Sequence, residues 1–406
     1  MEGVRPMEPI RFLHTADLHL DSPFKGMAAA GPDELVRLQQ STFAAFDRFI
    51  AYAVKERPDF IVIVGDIYDG EDRSLRAQIR FQQGMQQLQK VNIPVYLSYG
   101  NHDHLEGRWT RVSLPENVHV FSERVEQKQL LIRDNIIYLH GFSYPQRHVK
   151  EPMSRQYPKA TDGIHIGLLH GSVAGDAEHA VYAPFTIREL QDKHYHYWAL
   201  GHIHKRQVLS SEPPIVYPGN IQGRHRNEQG RKGFYDVLLT STNTTLKFVG
   251  TSDIVFTTLT VSCEGIDYAD DWISACQEAI DQLTAEAGSI VVELVMKHTE
   301  GLTKDVARAE TEWLNILREQ YEAMEPFVWI SAIEWPPIHD SVVPNSLLEP
   351  VERTMSSWEV NDWNDLVKEV YNHKAGRYLE ALTPADFERL KQQATALLEN
   401  EMLKES

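Results

Sequence analysis

The sequence predicts an α/β fold in which two β-sheets pack together with helices outside, and three observations carry that expectation. The β-branched run Ile61-Val62-Ile63-Val64 reads as a buried strand that stops abruptly at Gly65-Asp66. Before it, residues 34 to 55 place Leu35, Leu38, Phe46, Phe49, Ile50, Ala53 and Val54 at helical spacing behind an earlier strand, which makes a βαβ unit. From Val118 onward short β runs dominate, so strands outnumber helices and the helices fall mostly early.

Taken in order, a strand at Phe12 to Ala16 precedes that helix. A second helical stretch runs from Ser74 to Lys90, and Pro94 breaks it before the strand Val95 to Tyr99. Further strands are expected at Leu130 to Ile132, Ile136 to Leu139, Ile164 to Leu169, Tyr197 to Leu200, Ile215 to Tyr217, Phe234 to Leu239 and Leu246 to Val249. Near residue 250 the pattern changes to a small α+β unit: strands at Ile254 to Val261, Ser289 to Met296 and Phe327 to Trp335, with helices at Asp270 to Leu283 and Thr303 to Tyr321. Pro336-Pro337 and Pro344 punctuate a linker. Two amphipathic stretches follow, one with Trp363, Leu366, Val367, Val370 and Tyr371 on a face, the other with Phe387, Leu390, Ala394, Leu397 and Leu398. The expected division is therefore 8–251, 252–338, a linker at 339–361 and C-terminal helices at 362–405.

The chemistry lies where the strands of the first region end. Their ends deliver Asp17-Leu18-His19, Gly65-Asp66 with Asp69, Gly100-Asn101-His102-Asp103, His170-Gly171 and Gly201-His202-Ile203-His204. Open α/β sheets place their ligands at the carboxyl ends of strands. A lone Asp or His there is more often a cap or a satisfied core residue, but five ends carrying one class of side chain point to a metal site. Oxygen and imidazole donors without thiolate suit Mn²⁺, Fe or Zn²⁺. Alternation puts Asp17 with His19, and His202 with His204, on one side of an extended segment. A carboxylate at Asp66 shared between two ions about 3.5–4 Å apart would set up phosphoryl transfer.

Composition sets limits. Hydrophobic residues make up 42% and charged residues 24% of the 406, which are globular values. Lys+Arg 40 against Asp+Glu 58 gives a net charge of -18, so the overall field does not attract nucleic acid and any polyanion must be met by local charge. The best local basic patch is Arg224-His225-Arg226 with Arg231-Lys232, which reads equally as a phosphate-tracking segment and as a solvated loop. Cys263 and Cys276 show neither metal spacing nor a paired framework and fit a reducing compartment. No apolar run reaches the ~20 residues of a membrane span, and residues 1–10 lack a signal core, so a cytoplasmic protein without membrane attachment is expected. His14, His140, His165, His194 and His196 stand outside the strand-end set and read as structural.

The five motifs, in order, resemble those of calcineurin-like metallophosphoesterases. The longer run His14-Thr15-Ala16-Asp17-Leu18-His19 is similar to SbcD-type DNA repair exonucleases, and Leu20-Asp21-Ser22-Pro23-Phe24 resembles the YhaO group of Firmicutes within them. The resemblance covers roughly residues 10 to 250. It departs at Asp21, where SbcD-type enzymes often carry glycine.

That resemblance implies a four-layer α/β/β/α sandwich with an α+β cap and C-terminal helices. It implies that Asp17, His19, Asp66 and His204 hold one divalent metal and that Asp66, Asn101, His170 and His202 hold a second, most commonly Mn²⁺. His102 would not ligate but would stabilise the transition state or protonate the leaving oxygen, while Asp69 and Asp103 orient their neighbours. Arg224 and Arg226 are the candidate substrate contacts. The implied activity is hydrolysis of DNA phosphodiesters, as an exonuclease or endonuclease working with an SbcC-like SMC-type ATPase; a homodimer is compatible with it. Two alternatives stand beside it: a phosphodiesterase for small molecules or cyclic nucleotides, and a scaffold on the same fold that has lost its metals.

Overall fold

The computed structural model describes residues 8–24, 27, 30–70, 73–106, 110, 112–175, 182–240, 243–299 and 309–336, with scattered positions from 353 to 394. Most of the expected linker at 339–361 and of the helices at 362–405 lies outside the described residues, as does 303–308 of the expected Thr303 to Tyr321 helix. The chain divides into two compact units, one of residues up to Phe24 with Pro32–Phe256, the other of Lys25–Gly31 with the chain from Thr257 onward.

In the first unit β1 (Ile10–Thr15), α1 (Pro32–Glu56), β2 (Phe60–Val64), α2 (Leu75–Lys90), β3 (Val95–Ser98) and β4 (Val118–Val120) form a run of parallel strands with helices between the early ones. β11 (Gly233–Leu239) and β12 (Thr244–Gly250) add antiparallel beside β1, giving the order β12-β11-β1-β2-β3-β4. The second sheet contains β5 (Glu126–Ile132), β6 (Asn135–Gly141), β7 (Ile164–His170), β8 (Tyr197–Gly201), β9 (Gln207–Ser211) and β10 (Pro214–Tyr217), in the order β5-β6-β7-β8-β10-β9.

Strand β2 shows why the sheets stack. Its side chains alternate, so Ile61 and Ile63 pack with Phe46, Phe49, Phe81 and Met85 of the helices, whereas Phe60, Val62 and Val64 pack with Ile166, Leu168, Tyr197 and Ala199 of the second sheet. A strand buried on both faces must be apolar at every position, and all five residues of β2 are buried. On the far face of the second sheet Trp198, Leu169 and Leu200 pack with Tyr157 and Tyr195 of the covering segments, which include a 3₁₀ turn at Met153–Gln156 and the short α3 (Ile187–Gln191). The expected sandwich is present, and its fourth layer is thin. Ser74 caps α2 by accepting from the Ala77 N–H at 3.0 Å, which fixes where that helix begins.

His14 ties the two sheets together. Its Nε2 lies 3.1 Å from the Leu200 carbonyl and its Nδ1 3.0 Å from the Tyr197 hydroxyl. A carbonyl only accepts, so Nε2 carries the proton and Nδ1 accepts from Tyr197. Burial, against the pull of the Leu200 carbonyl, pushes the imidazole down from 6.5 to about 3. The unfolded chain takes up a proton here below the ordinary value while the folded chain does not. The stabilisation is therefore complete above that value and is lost as pH falls toward 3, at up to ~1.4 kcal/mol per pH unit. In urea unfolding, His14→Gln should lower stability at neutral pH, and the gap to the unsubstituted protein should narrow by about pH 5. Parallel pH profiles would refute this.

The second unit holds β13 from Thr257 onward (Ile254–Ser262 in all), α4 (Ala269–Ala287), β14 (Ser289–Lys297), α5 (Glu310–Gln320) and β15 (Val328–Glu334). The sheet order is β13-β14-β15, with β14 and β15 parallel. Trp272 of α4 is its aromatic centre, 5.4 Å from the Trp313 ring and 5.5 Å from that of Trp335. Cys263 and Cys276 are buried and free, and burial, with Cys263 nearby, pushes the Cys276 thiol up to about 12. No helix among the described residues is long and apolar enough to cross a membrane.

Candidate metal centre

The loops that leave β1, β2 and β8 are built from left-handed backbone. Asp17, His19, Asp66 and His202 have φ of 52°, 42°, 52° and 96°. Such conformations cost on the order of 1 kcal/mol or more each and persist where surrounding structure and function require them. Here the surroundings are explicit: the Asp17 N–H donates to the Gly65 carbonyl at 3.1 Å and the His19 N–H to the Asp66 carbonyl at 3.0 Å. The two acid-bearing loops thus continue the pairing of the strands that feed them. Gly65, at φ 78°, is required twice over, because a Cβ there would stand 2.2 Å from His170 Nδ1. A Cβ at Gly100 would stand 2.3 Å from Asp66 Oδ1.

Asp21 replaces a glycine that the resemblance leads one to expect, and it too sits at φ 64°. Asp tolerates this region better than most residues. Its carboxylate is held by Ser74 Oγ–H at 2.6 Å, so the loop keeps its shape by a side-chain bond instead of by lacking a side chain.

These loops bring the ligand candidates into two clusters. Donor atoms of Asp17, His19 and His204 lie within 4.8 Å of one another, and so do those of Asp66, His170 and His202. Asp66 links the clusters, with Oδ2 3.8 Å from His19 Nε2 and 3.4 Å from His170 Nε2. Asn101 Oδ1 joins the second, 2.9 Å from His170 Nε2 and 3.2 Å from His202 Nδ1. Asp17 also accepts from the His202 N–H at 3.1 Å. Every ligand candidate of the sequence is therefore in one place.

The residues fit a pair of divalent ions. His204 Nδ1 lies 2.6 Å from Glu228 Oε1 and His19 Nδ1 lies 3.5 Å from Asp69 Oδ1, so each ring turns one nitrogen to a carboxylate. A proton on that nitrogen leaves the two Nε2 lone pairs facing each other across 3.0 Å, an arrangement that repels unless a cation lies between. His170 Nδ1 similarly meets the Val64 carbonyl at 3.0 Å, which aims the Nε2 lone pair at Asp66 and Asn101.

The electrostatics agree. Burial, with Asp66 adding to it against His170, pushes Asp17 up to about 8. Burial also works against ionised Asp66, but the charges of His170 and His102 outweigh it and hold that carboxyl well below the usual range. His170 is driven down by burial yet raised to about 9 by Asp66 and Asp17. Burial, then the charge of Arg224, lowers His19 to about 3. The site thus demands positive charge, and metal binding would displace protons from it.

Around the clusters, Asp103 accepts from the N–H groups of Gly100 at 2.7 Å, Ile67 at 2.7 Å and Asp66 at 3.3 Å, pinning the β2 and β3 loops together. Arg73 donates to the carbonyls of Asp103 and His104 and lies over the Tyr99 ring. Asp69 Oδ1 lies 3.4 Å from His102 Nδ1 and 3.4 Å from Arg224. Burial lowers His102, but Asp66 and then Asp69 outweigh it, so the imidazolium is favoured. Arg224 stands among these groups, whereas Arg226 is exposed. His140 and His165 bond each other at 2.9 Å, and His196 Nδ1 accepts from the His165 N–H at 3.1 Å, away from the clusters.

Glu228 is the site residue that sequence reading missed. It is buried, orients His204, accepts from Asn220 Nδ2 at 2.7 Å and from the Arg224 N–H at 2.8 Å, and is held well below the usual range because Arg224 and His204 outweigh its burial. The one signal for it was a lone carboxylate inside the basic run Arg224 to Lys232. Partners of this kind are worth about 10- to 100-fold in metal affinity. Glu228→Gln, which keeps an acceptor for part of this network, should weaken metal binding by that factor in a titration followed by bound-metal analysis. Unchanged affinity would reduce Glu228 to a packing role.

Residues 10–206 match the calcineurin-like phosphoesterase family, and residues 256–335 match the middle domain of metallophosphoesterase YhaO. The chain is 34% identical over 406 residues to the uncharacterized metallophosphoesterase YhaO of Bacillus subtilis, a match covering 97% of this chain and 98% of that protein. It is 27% identical over 226 residues to the DNA double-strand break repair protein Mre11 of Aeropyrum pernix, covering 52% of this chain and 53% of the relative. To the SbcD component of the nuclease SbcCD of Staphylococcus epidermidis it is 26% identical over 265 residues, covering 56% of this chain and 66% of the relative.

Proposed function

We propose that this chain, which belongs to the calcineurin-like phosphoesterase family, hydrolyses phosphodiester bonds of DNA at a site of two divalent metal ions, Mn²⁺ by preference. The observation that carries this reading is the convergence of two donor clusters on Asp66, all of it inside the family match. In it Asp17, His19, Asp66 and His204 hold one ion and Asp66, Asn101, His170 and His202 the other. Bound there, the pair supplies a nucleophile at neutral pH and neutralises charge on the phosphoryl group. His102, kept cationic by Asp66 and Asp69, gives a proton to the leaving oxygen. Asp69 and Asp103 fix the loops on which that imidazole and Asp66 ride.

DNA as substrate is supported by the likeness of the same stretch to two proteins named for nuclease action or for break repair. The likeness to one subunit of the nuclease SbcCD likewise supports an SbcC-like ATPase as partner; in this reading the protein works in the cytoplasm and the amphipathic stretches after Pro344 dock that partner.

The test is a side-by-side assay with Mn²⁺ of linear duplex DNA, single-stranded DNA and bis-p-nitrophenyl phosphate. Cleavage of DNA is expected. Cleavage of the small ester alone would replace this reading by a small-molecule phosphodiesterase, and no cleavage of any of them, by a scaffold.

A further inference from the structure

The sequence leaves Arg224 open between a phosphate contact and a solvated loop; its side chain is only 12% exposed and stands against the ligand residues. One terminal nitrogen lies 3.4 Å from Asp69 Oδ1; the other lies 3.4 Å from Glu228 Oε1 and 3.1 Å from His204 Nδ1. Among the described residues its Nε–H meets no hydrogen-bond acceptor. A buried guanidinium whose charge were fully committed to carboxylates would sit at ~2.7–2.9 Å from them, in a fork. Here both carboxylate distances are longer, so the cation is held in place with donors to spare.

Position gives those donors a use. The Asp69 oxygen that faces Arg224 also lies 3.4 Å from His102 Nδ1, so one carboxylate seats the guanidinium beside the imidazole. The arginine thereby borders the donor cluster of Asp17, His19 and His204 through its contact with His204. A permanently charged planar fork suits the non-bridging oxygens of a phosphate. We infer that Arg224 binds the phosphate group of the substrate, and that Asp69 positions it together with His102 as a single unit. This rests on the phosphoesterase reading of the site and adds the group that grips the anion.

The experiment uses Mn²⁺-loaded full-length protein and inorganic phosphate as the probe in calorimetry, alongside bound-metal analysis and kinetics with bis-p-nitrophenyl phosphate. Arg224→Gln should retain both metals, weaken phosphate binding by roughly 10- to 100-fold, as the loss of one charge-assisted contact does, and raise KM by a similar factor. Arg224→Lys keeps the charge without the fork and should recover part of the loss; it decides the matter if the glutamine protein does not fold. Phosphate binding equal to that of the unsubstituted protein overturns the inference. So does a loss that appears only in step with loss of metal, because Arg224 would then serve the ligands and not the substrate. A protein that cleaves the small ester with an Arg224-dependent KM but leaves DNA intact removes the DNA reading and leaves this one standing.

Discussion

Asp66→Asn is expected to reduce turnover by more than the ~10²-fold that follows loss of an outer partner of a metal site, and to reduce bound metal below two ions per chain. Among the described residues Asp66 is the carboxylate placed toward both clusters, 3.8 Å from His19 Nε2 and 3.4 Å from His170 Nε2. Its charge is what holds His170 at about 9 in the absence of another cation. The substitution removes that charge while leaving an amide oxygen to accept from the His102 N–H, which Asp66 Oδ1 does at 2.9 Å. The β2 loop keeps its own anchors, since the Asp66 N–H and Ile67 N–H donate to Asp103. The fold should therefore persist, with a single cooperative melt in metal-free buffer. The amide N–H₂ would face the His170 nitrogen and satisfy it by a hydrogen bond where a cation is otherwise required. Bound-metal analysis and turnover together check this; near-normal turnover with two bound ions would sink the two-metal assignment.

The donor set was legible because it sits at strand ends, where local pattern and chemistry coincide. A β-branched run such as Ile61 to Val64 announces both the strand and its end, and Gly65 announces the turn. Residues placed by long-range folding were not legible in this way. Glu228 reaches His204 only because the chain after β10 folds back over the β8 loop, bringing together positions 24 apart with no shared periodicity. Arg224 was left open between a phosphate contact and a solvated loop because a basic run fits both, and it is Asp69, Glu228 and His204, distant in sequence or outside any shared pattern, that bring it inward. β9 (Gln207–Ser211) escaped notice because it is a half-polar edge strand, without the apolar alternation that marked β2. Arg226, by contrast, is exposed.

His102→Ala should lower turnover on DNA by about 10²- to 10⁴-fold, the usual worth of a positioned acid or base, while both metals remain bound. The backbone contact that matters to the clusters is the His102 N–H on Asp66 Oδ1 at 2.9 Å, and alanine keeps it. What is lost is an imidazole 3.4 Å from Asp69 and edge-on to His19, with ring centroids 5.1 Å apart. Its side chain is 34% exposed, against 24% for His204 and 0% for His19 and His170, so substrate can meet it from the open side. The size of the loss should depend on the leaving group. A sugar alkoxide departs poorly without a proton, so DNA cleavage carries the full effect. The p-nitrophenolate of bis-p-nitrophenyl phosphate departs unassisted, so the same substitution should cost far less there. Equal losses on both substrates would show that His102 stabilises the charge of the transition state instead of delivering a proton. A fall in bound metal would show it to be a ligand, and the two-cluster assignment would then have to be redrawn around the third grouping, His19 with Asp69 and His102.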